Sequence, residues 1–183
     1  MERLLKVFWL SLLGLFGLHG STAFAAITQV LCSSELPGES VVPGATGCID
    51  VLAWSWGGSI PGGLASKVSL QDLSLTKYID TSSDNLFSFL VTNSPLKAVV
   101  ELRNYYACAS CASPTPNVTI RLKGVTVSSQ STGGSGGESS FTENVSLSFD
   151  AVSFCYRPTL VDGTLGAPQC SAYSKTSGVI PPF

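Results

Sequence analysis

In three places the apolar residues of this chain alternate as they do in β-strands and then slip by one residue, and that slip limits the fold more than any other feature. Side chains on a strand point alternately to opposite faces, so one buried face keeps a fixed parity of residue number. In residues 67–80 (KVSLQDLSLTKYID), Val68 and Leu70 share one parity, while Leu73, Leu75 and Ile79 take the other. Ile120 and Leu122 are followed by Val125 and Val127, with Gly124 at the switch, where an irregular backbone is least costly. Val145, Leu147 and Phe149 give way to Val152, Phe154 and Tyr156. Long strands that change face at a bulge can bend and turn a corner, as in a barrel or an orthogonal sandwich; a flat sheet has no need of them.

The remaining pattern is consistent with a mainly β chain. Strands are predicted at residues 28–33, 49–56, 67–79, 96–105, 118–128 and 142–156, with a weaker one at 171–175. Leu96, Ala98, Val100 and Leu102 alternate with Lys97, Glu101 and Arg103, as in a half-buried strand. Residues 49–56 are apolar at both parities, which suits a central or covered strand. One helix interrupts the series. Ser82 or Ser83 can cap it, Asp84 suits its first turn, Leu86, Phe89 and Leu90 form a stripe that packs on the sheet, and Asn93 with Pro95 ends it. Residues 57–63 read as a flexible loop. The Ser/Gly-rich residues 130–140 read as a surface loop, because they lack both the Lys-Ser/Thr ending and the following helix of a phosphate-cradling loop.

Residues 1–25 have the layout of a secretory signal peptide. Arg3 and Lys6 precede an apolar run over residues 7–18, and Ala23-Phe24-Ala25 supplies small residues at a cleavage site. The run is too short for a comfortable membrane span. Residues 26–183 are then expected to form one domain, secreted or periplasmic. From Ala26 onward there are 8 basic and 11 acidic residues and no basic cluster in the sequence, which argues against a nucleic-acid partner. The single histidine, His19, falls in the predicted signal, so the remaining chain has no Ser-His-Asp triad, no Cys-His pair and no histidine-bearing zinc site.

Six cysteines, Cys32, Cys48, Cys108, Cys111, Cys155 and Cys170, are an even number in an exported chain, and disulfides are their natural use in an oxidising compartment. Local pairs are favoured among the possible connectivities: Cys32 with Cys48 and Cys155 with Cys170 each flank one connection, which leaves Cys108 and Cys111 to each other. A zinc held by four thiolates would ask for a second Cys-x-x-Cys, and a redox-active Cys108-Ala-Ser-Cys111 for a helix start or cations beside it. The carboxylates Asp72, Glu101, Glu143 and Asp150 are scattered over separate strands, and nothing forces two of them together as a glycosidase pair. No catalytic, cofactor-binding or metal-binding residues are expected.

Residues 51–56 (VLAWSW), 67–80, 125–137 (VTVSSQSTGGSGG), 142–149 (TENVSLSF) and 162–166 (DGTLG) together resemble the Hcp family, the haemolysin-coregulated tube proteins of bacterial type VI secretion systems. The resemblance implies an Hcp-like β-barrel of two packed antiparallel sheets with one flanking α-helix. It also implies a hexameric ring that stacks into a hollow tube, carries small secreted effector proteins and has no enzymatic activity of its own. Two features depart from the family. A signal peptide and six cysteines place the chain outside the inner membrane, and residues 105–116 are longer than the expected hairpin. The expectation is a non-enzymatic, exported protein that works by self-association or by binding a protein partner. The alternatives are a secreted effector or toxin on the same barrel, and a cytoplasmic tube subunit whose N terminus has been misread.

Overall fold

A computed structural model describes residues 27–62, 67–106, 115–137 and 139–178. In chain order the elements are β1 (Thr28–Cys32), β2 (Ile49–Ser55), β3 (Gly58–Ser59), β4 (Ser69–Leu70), β5 (Leu73–Tyr78), α1 (Ser82–Thr92), β6 (Val100–Tyr105), β7 (Val118–Lys123), β8 (Thr126–Gly133), β9 (Thr142–Ser148), β10 (Ala151–Tyr156) and β11 (Gln169–Ser174). Nine strands form a single antiparallel sheet in the order β11-β10-β7-β6-β1-β2-β5-β9-β8.

That order explains the parity slips. β7 and β8 are consecutive in the chain yet lie far apart in the sheet, and only Gly124 and Val125 join them. β9 and β10 repeat the arrangement through Phe149 and Asp150. Because β7 pairs with β10 and β8 with β9, the four strands are one two-stranded ribbon with a corner in it. The corner is held by the Asp150 N–H donating to Lys123 O at 2.9 Å and the Leu96 N–H donating to Val125 O at 2.7 Å. Gly124 sits there at φ +61°, a left-handed conformation, and a Cβ on it would lie 2.2 Å from an oxygen of Asp150. Ile120, Leu122, Val125 and Val127 are all buried on the two sides of the corner, as are Val145, Leu147, Phe149 and Val152. Phe154 and Tyr156, expected to join them, are more than a third exposed near the end of β10.

The hydrogen-bonded ladder is not closed into the expected barrel. β8 and β11 stand at its opposite ends, and the corner brings the halves of the sheet together without making those strands partners. Four further expectations are corrected. Residues 67–79 are two strands, not one, and β4 turns away to pair with β3, so residues 57–63 hold half of a small ribbon instead of a plain loop. The strand expected from residue 96 begins at Val100; before it Leu96 makes an isolated bridge, and the Ala98 N–H donates to Glu35 Oε2 at 2.6 Å. β8 runs on to Gly133, because Gln130, Ser131, Thr132 and Gly133 pair with Val145, Asn144, Glu143 and Thr142, so the surface loop is shorter than expected. In β2 the register shifts between Val51 and Ala53, which leaves Leu52 exposed and turns Trp54 and Trp56 inward.

The main core joins both halves of the sheet to α1 through Leu86, Phe89 and Leu90. α1 ends as expected at Asn93, in the left-handed conformation, but it starts differently. Its N-cap position is Thr81, which makes no side-chain cap bond; Asp80 Oδ1 accepts the Ser82 N–H at 2.8 Å instead. On the other face of β1, a second cluster of Val30, Cys32, Ala45, Cys48 and Tyr105 lies under the connection between β1 and β2.

Candidate functional site

β5 presents Leu73, Leu75 and Lys77 to one face, so strand parity sends a lysine where an apolar residue would be expected. Lys77 is directly opposite Glu143 on β9, and both side chains have no exposure to solvent. Lys77 Nζ meets Glu143 Oε1 at 2.5 Å and Asp80 Oδ1 at 2.8 Å, and donates to Ser83 Oγ at 3.1 Å. Ser83 Oγ in turn donates to Glu143 Oε1 at 2.7 Å, and Gln130 Nε2 donates to Glu143 Oε2 at 2.7 Å and to Ser83 O at 3.2 Å. Burial works against the charge of Glu143, yet the hydrogen bonds from Lys77, Gln130 and Ser83 hold its carboxyl below the ordinary range. This network fixes the start of α1 onto β5, β8 and β9. Sequence reasoning missed it: Ser83 was expected as a cap and Gln130 in a loop, and the only available signal was that Lys77 shares the parity of Leu73 and Leu75.

The carboxylates considered for catalysis each have their own partners. Asp72 accepts Ser128 Oγ at 2.6 Å on the surface. Glu101 binds Arg103 and Arg121, Glu143 belongs to the buried network, and Asp150 stands at the corner beside Gly124. For Arg103, burial opposes the guanidinium's charge, and the hydrogen bond and charge of Glu101 raise its pKa above the ordinary value. Asp162, in the DGTLG turn, has its carboxyl held low by the hydroxyl and N–H of Thr164, which donate to Oδ1 at 2.7 and 2.9 Å. Among the described residues no group of three or more His, Cys, Asp or Glu side chains could hold a metal ion.

The structure joins Cys32 to Cys48 and Cys155 to Cys170. Cys155 and Cys170 are cross-strand partners, and Cys32 and Cys48 lie one step beyond the paired Leu31 and Ile49. The predicted Cys108 and Cys111 pair lies outside the described residues.

What the molecule offers to a partner is surface. Phe87 and Val91, one turn apart on α1, are 56% and 63% exposed, facing away from the buried Leu86. Tyr78, Ile79 and Phe141 form a second exposed apolar group where β5 ends and β9 begins, tied by the Ile79 N–H donating to Phe141 O at 3.0 Å. The outer strands β8 and β11 each leave one side of the ladder unpaired among the described residues. No helix among these residues is long and apolar enough to cross a membrane.

Comparison with known proteins agrees with this architecture. The family model described as type VI secretion system effector, Hcp, matches residues 24–156. The chain is 42% identical over 145 residues to protein hcp1 of Pseudomonas aeruginosa, covering 75% of this chain and 88% of that protein. Among solved structures, one described as a type six secretion system protein superposes with a TM-score of 0.74 at 22% identity, covering 84% of this chain and 99% of the other. Hcp1 from Salmonella typhimurium superposes with a TM-score of 0.68 at 25% identity, covering 84% and 98%. With a family match over most of its length and a relative this similar, the chain belongs to the Hcp family of type VI secretion system effectors.

Proposed function

We propose that this chain acts as a non-enzymatic structural subunit that assembles with copies of itself into hexameric rings outside the inner membrane, where it binds secreted effector proteins. The observation that carries the reading is the family match over residues 24–156. The folded nine-stranded sheet, its two halves packed on a shared core, would form the wall of each subunit. The exposed pairs Phe87 with Val91, and Ile79 with Phe141, are suited to contacts between copies, because apolar side chains grouped at a surface favour burial against a partner. The two disulfides favour an oxidising destination, and the signal-like residues 1–25 would supply the route to it.

Native mass spectrometry of the protein recovered from periplasm or culture medium tests the proposal. The expected species is a hexamer whose subunits begin at Ala26 and carry oxidised cysteines. A monomer at high concentration that captures no partner would remove the basis for ring assembly, and subunits retaining residue 1 with reduced thiols would remove the export step.

A further inference from the structure

The chain has four arginines, and all but Arg3 converge on one face of the sheet. Cross-strand register sets them there. Arg103 on β6, Thr119 on β7, Cys155 on β10 and Cys170 on β11 form one rung, and Glu101 opposite Arg121 forms the next. Arg157, two residues beyond Cys155, stays alongside because its N–H donates to Asn117 O at 2.7 Å. Neighbouring strands lie about 4.8 Å apart and alternate residues about 7 Å apart, so Arg121, Arg103 and Arg157, on three successive rungs, share one wall of the sheet. They line a cleft of about 360 Å³, in which Glu101 is the only carboxylate among the described lining residues.

Glu101 holds two of the three in place. Arg103 Nε and Nη2 donate to its Oε2 at 2.8 and 2.5 Å, and Arg121 Nε donates to its Oε1 at 2.7 Å. Among the described residues Arg157 Nη1 donates to a neutral group, Gly166 O, at 3.3 Å. Three positive charges against one negative leave the cleft with an excess of two, in a chain whose formal net charge is -2. The side chains of Arg103 and Arg121 stay partly exposed, at 28% and 41%, so a solute can reach them. Arginine presents several N–H donors in a planar fork that matches the oxygens of a phosphate group, and a guanidinium already oriented by a carboxylate loses little freedom when it binds one.

We infer that this cleft is a binding site for a phosphate-type oxyanion, held by Arg103, Arg121 and Arg157 and oriented by Glu101. The group is carried either by a small soluble phosphate or by a lipid headgroup.

The test uses the purified, oxidised protein at low salt. Inorganic phosphate is titrated by calorimetry in one arm, and flotation with phosphatidylglycerol in phosphatidylcholine vesicles is measured in the other. Arg121→Gln and Arg157→Gln are each expected to weaken binding about tenfold, the factor that corresponds to one charge-assisted hydrogen bond. Lys67→Gln removes the same charge from an exposed position outside the cleft and should leave binding unchanged. Arginine-dependent saturation by phosphate assigns a soluble ligand, and arginine-dependent flotation alone assigns a headgroup. No binding in either arm, or an equal loss in Lys67→Gln, overturns the inference; an unchanged melting temperature of the arginine variants keeps misfolding from imitating it.

Discussion

Lys77 and Glu143, a buried pair, are the residues on which the helix-to-sheet packing of this molecule turns. A charge without solvent is tolerable only while it is paired, so removing Lys77 leaves the buried Glu143 without a counter-charge, at a cost of about 3–5 kcal/mol. Lys77→Met is therefore expected to lower the denaturant midpoint strongly. Lys77→Met with Glu143→Leu should recover much of the loss, since an apolar pair of similar volume asks for no solvation. Full additivity of the two single losses would show that the residues do not act as a pair. The same site shapes the acid limb of stability. Because the folded carboxyl of Glu143 titrates below its ordinary value of 4.5, the unfolded chain binds the proton more readily. The stabilisation is thus present above pH 4.5 and is lost as the pH falls through the lower folded value. Glu143→Gln should flatten this limb of the stability curve, and an unchanged slope below pH 4.5 would place the acid sensitivity elsewhere. Beyond the parity that Lys77 shares with Leu73 and Leu75, this network could not be read from the sequence. Glu143 is 66 positions from Lys77, and a lysine in a strand is ordinarily read as an outward residue.

Among the elements, the bent ribbon of β7 to β10 was legible and its neighbours were not, for a physical reason. A change of parity within an apolar run marks a change of face, and Gly124 and Asp150 stand where the runs change. The same count failed in β2, because Leu52, Trp54 and Trp56 at one parity and Val51 and Ala53 at the other are all apolar, and a bulge there leaves no signature. It failed in a different way at residues 67–79, where the slip marks a break between β4 and β5 and not a bend. Gly124→Ala measures the corner directly. The left-handed φ alone costs about 1–2 kcal/mol for a residue with a Cβ, and contact with Asp150 adds to it. Gly178→Ala, at φ +66° with nothing within 4 Å of the added Cβ, isolates the conformational part, so the smaller loss is expected there. Equal losses would mean that Asp150 moves aside freely. In α1, Leu86→Ala should cost about 2–5 kcal/mol as a buried truncation, whereas Phe87→Ser should barely change the unfolding of an isolated subunit. If that surface joins copies, Phe87→Ser should instead reduce the hexamer fraction in native mass spectrometry.

At the scale of the whole molecule, the family likeness and the disulfides divide the chain unevenly. The family match ends at residue 156, the last residue of β10, whereas β11 lies beyond it at residues 169–174. β11 is an edge strand whose residues are mostly exposed or partly exposed; only Ser174 is buried, so it contributes little apolar burial to its own docking. Its pairing with β10 is backed by the bond between Cys155 and Cys170, which closes a loop with a sequence separation of 15. A loop of that size is stabilised by about 3 kcal/mol in the chain-entropy model, equivalent to roughly 6–12 °C in melting temperature for a domain of this length. Most of that effect should be local. In Cys155→Ser with Cys170→Ser, amide exchange is expected to accelerate across β11 while β6, β7 and β1, locked in the middle of the sheet, stay slow. Uniform acceleration over all nine strands would mean that β11 is integral to the cooperative core. Selective release would mean that an oxidising environment fastens the edge strand onto a sheet whose middle holds without it, and that the face bearing Arg103, Arg121 and Arg157 loses its outer wall when the bond is reduced.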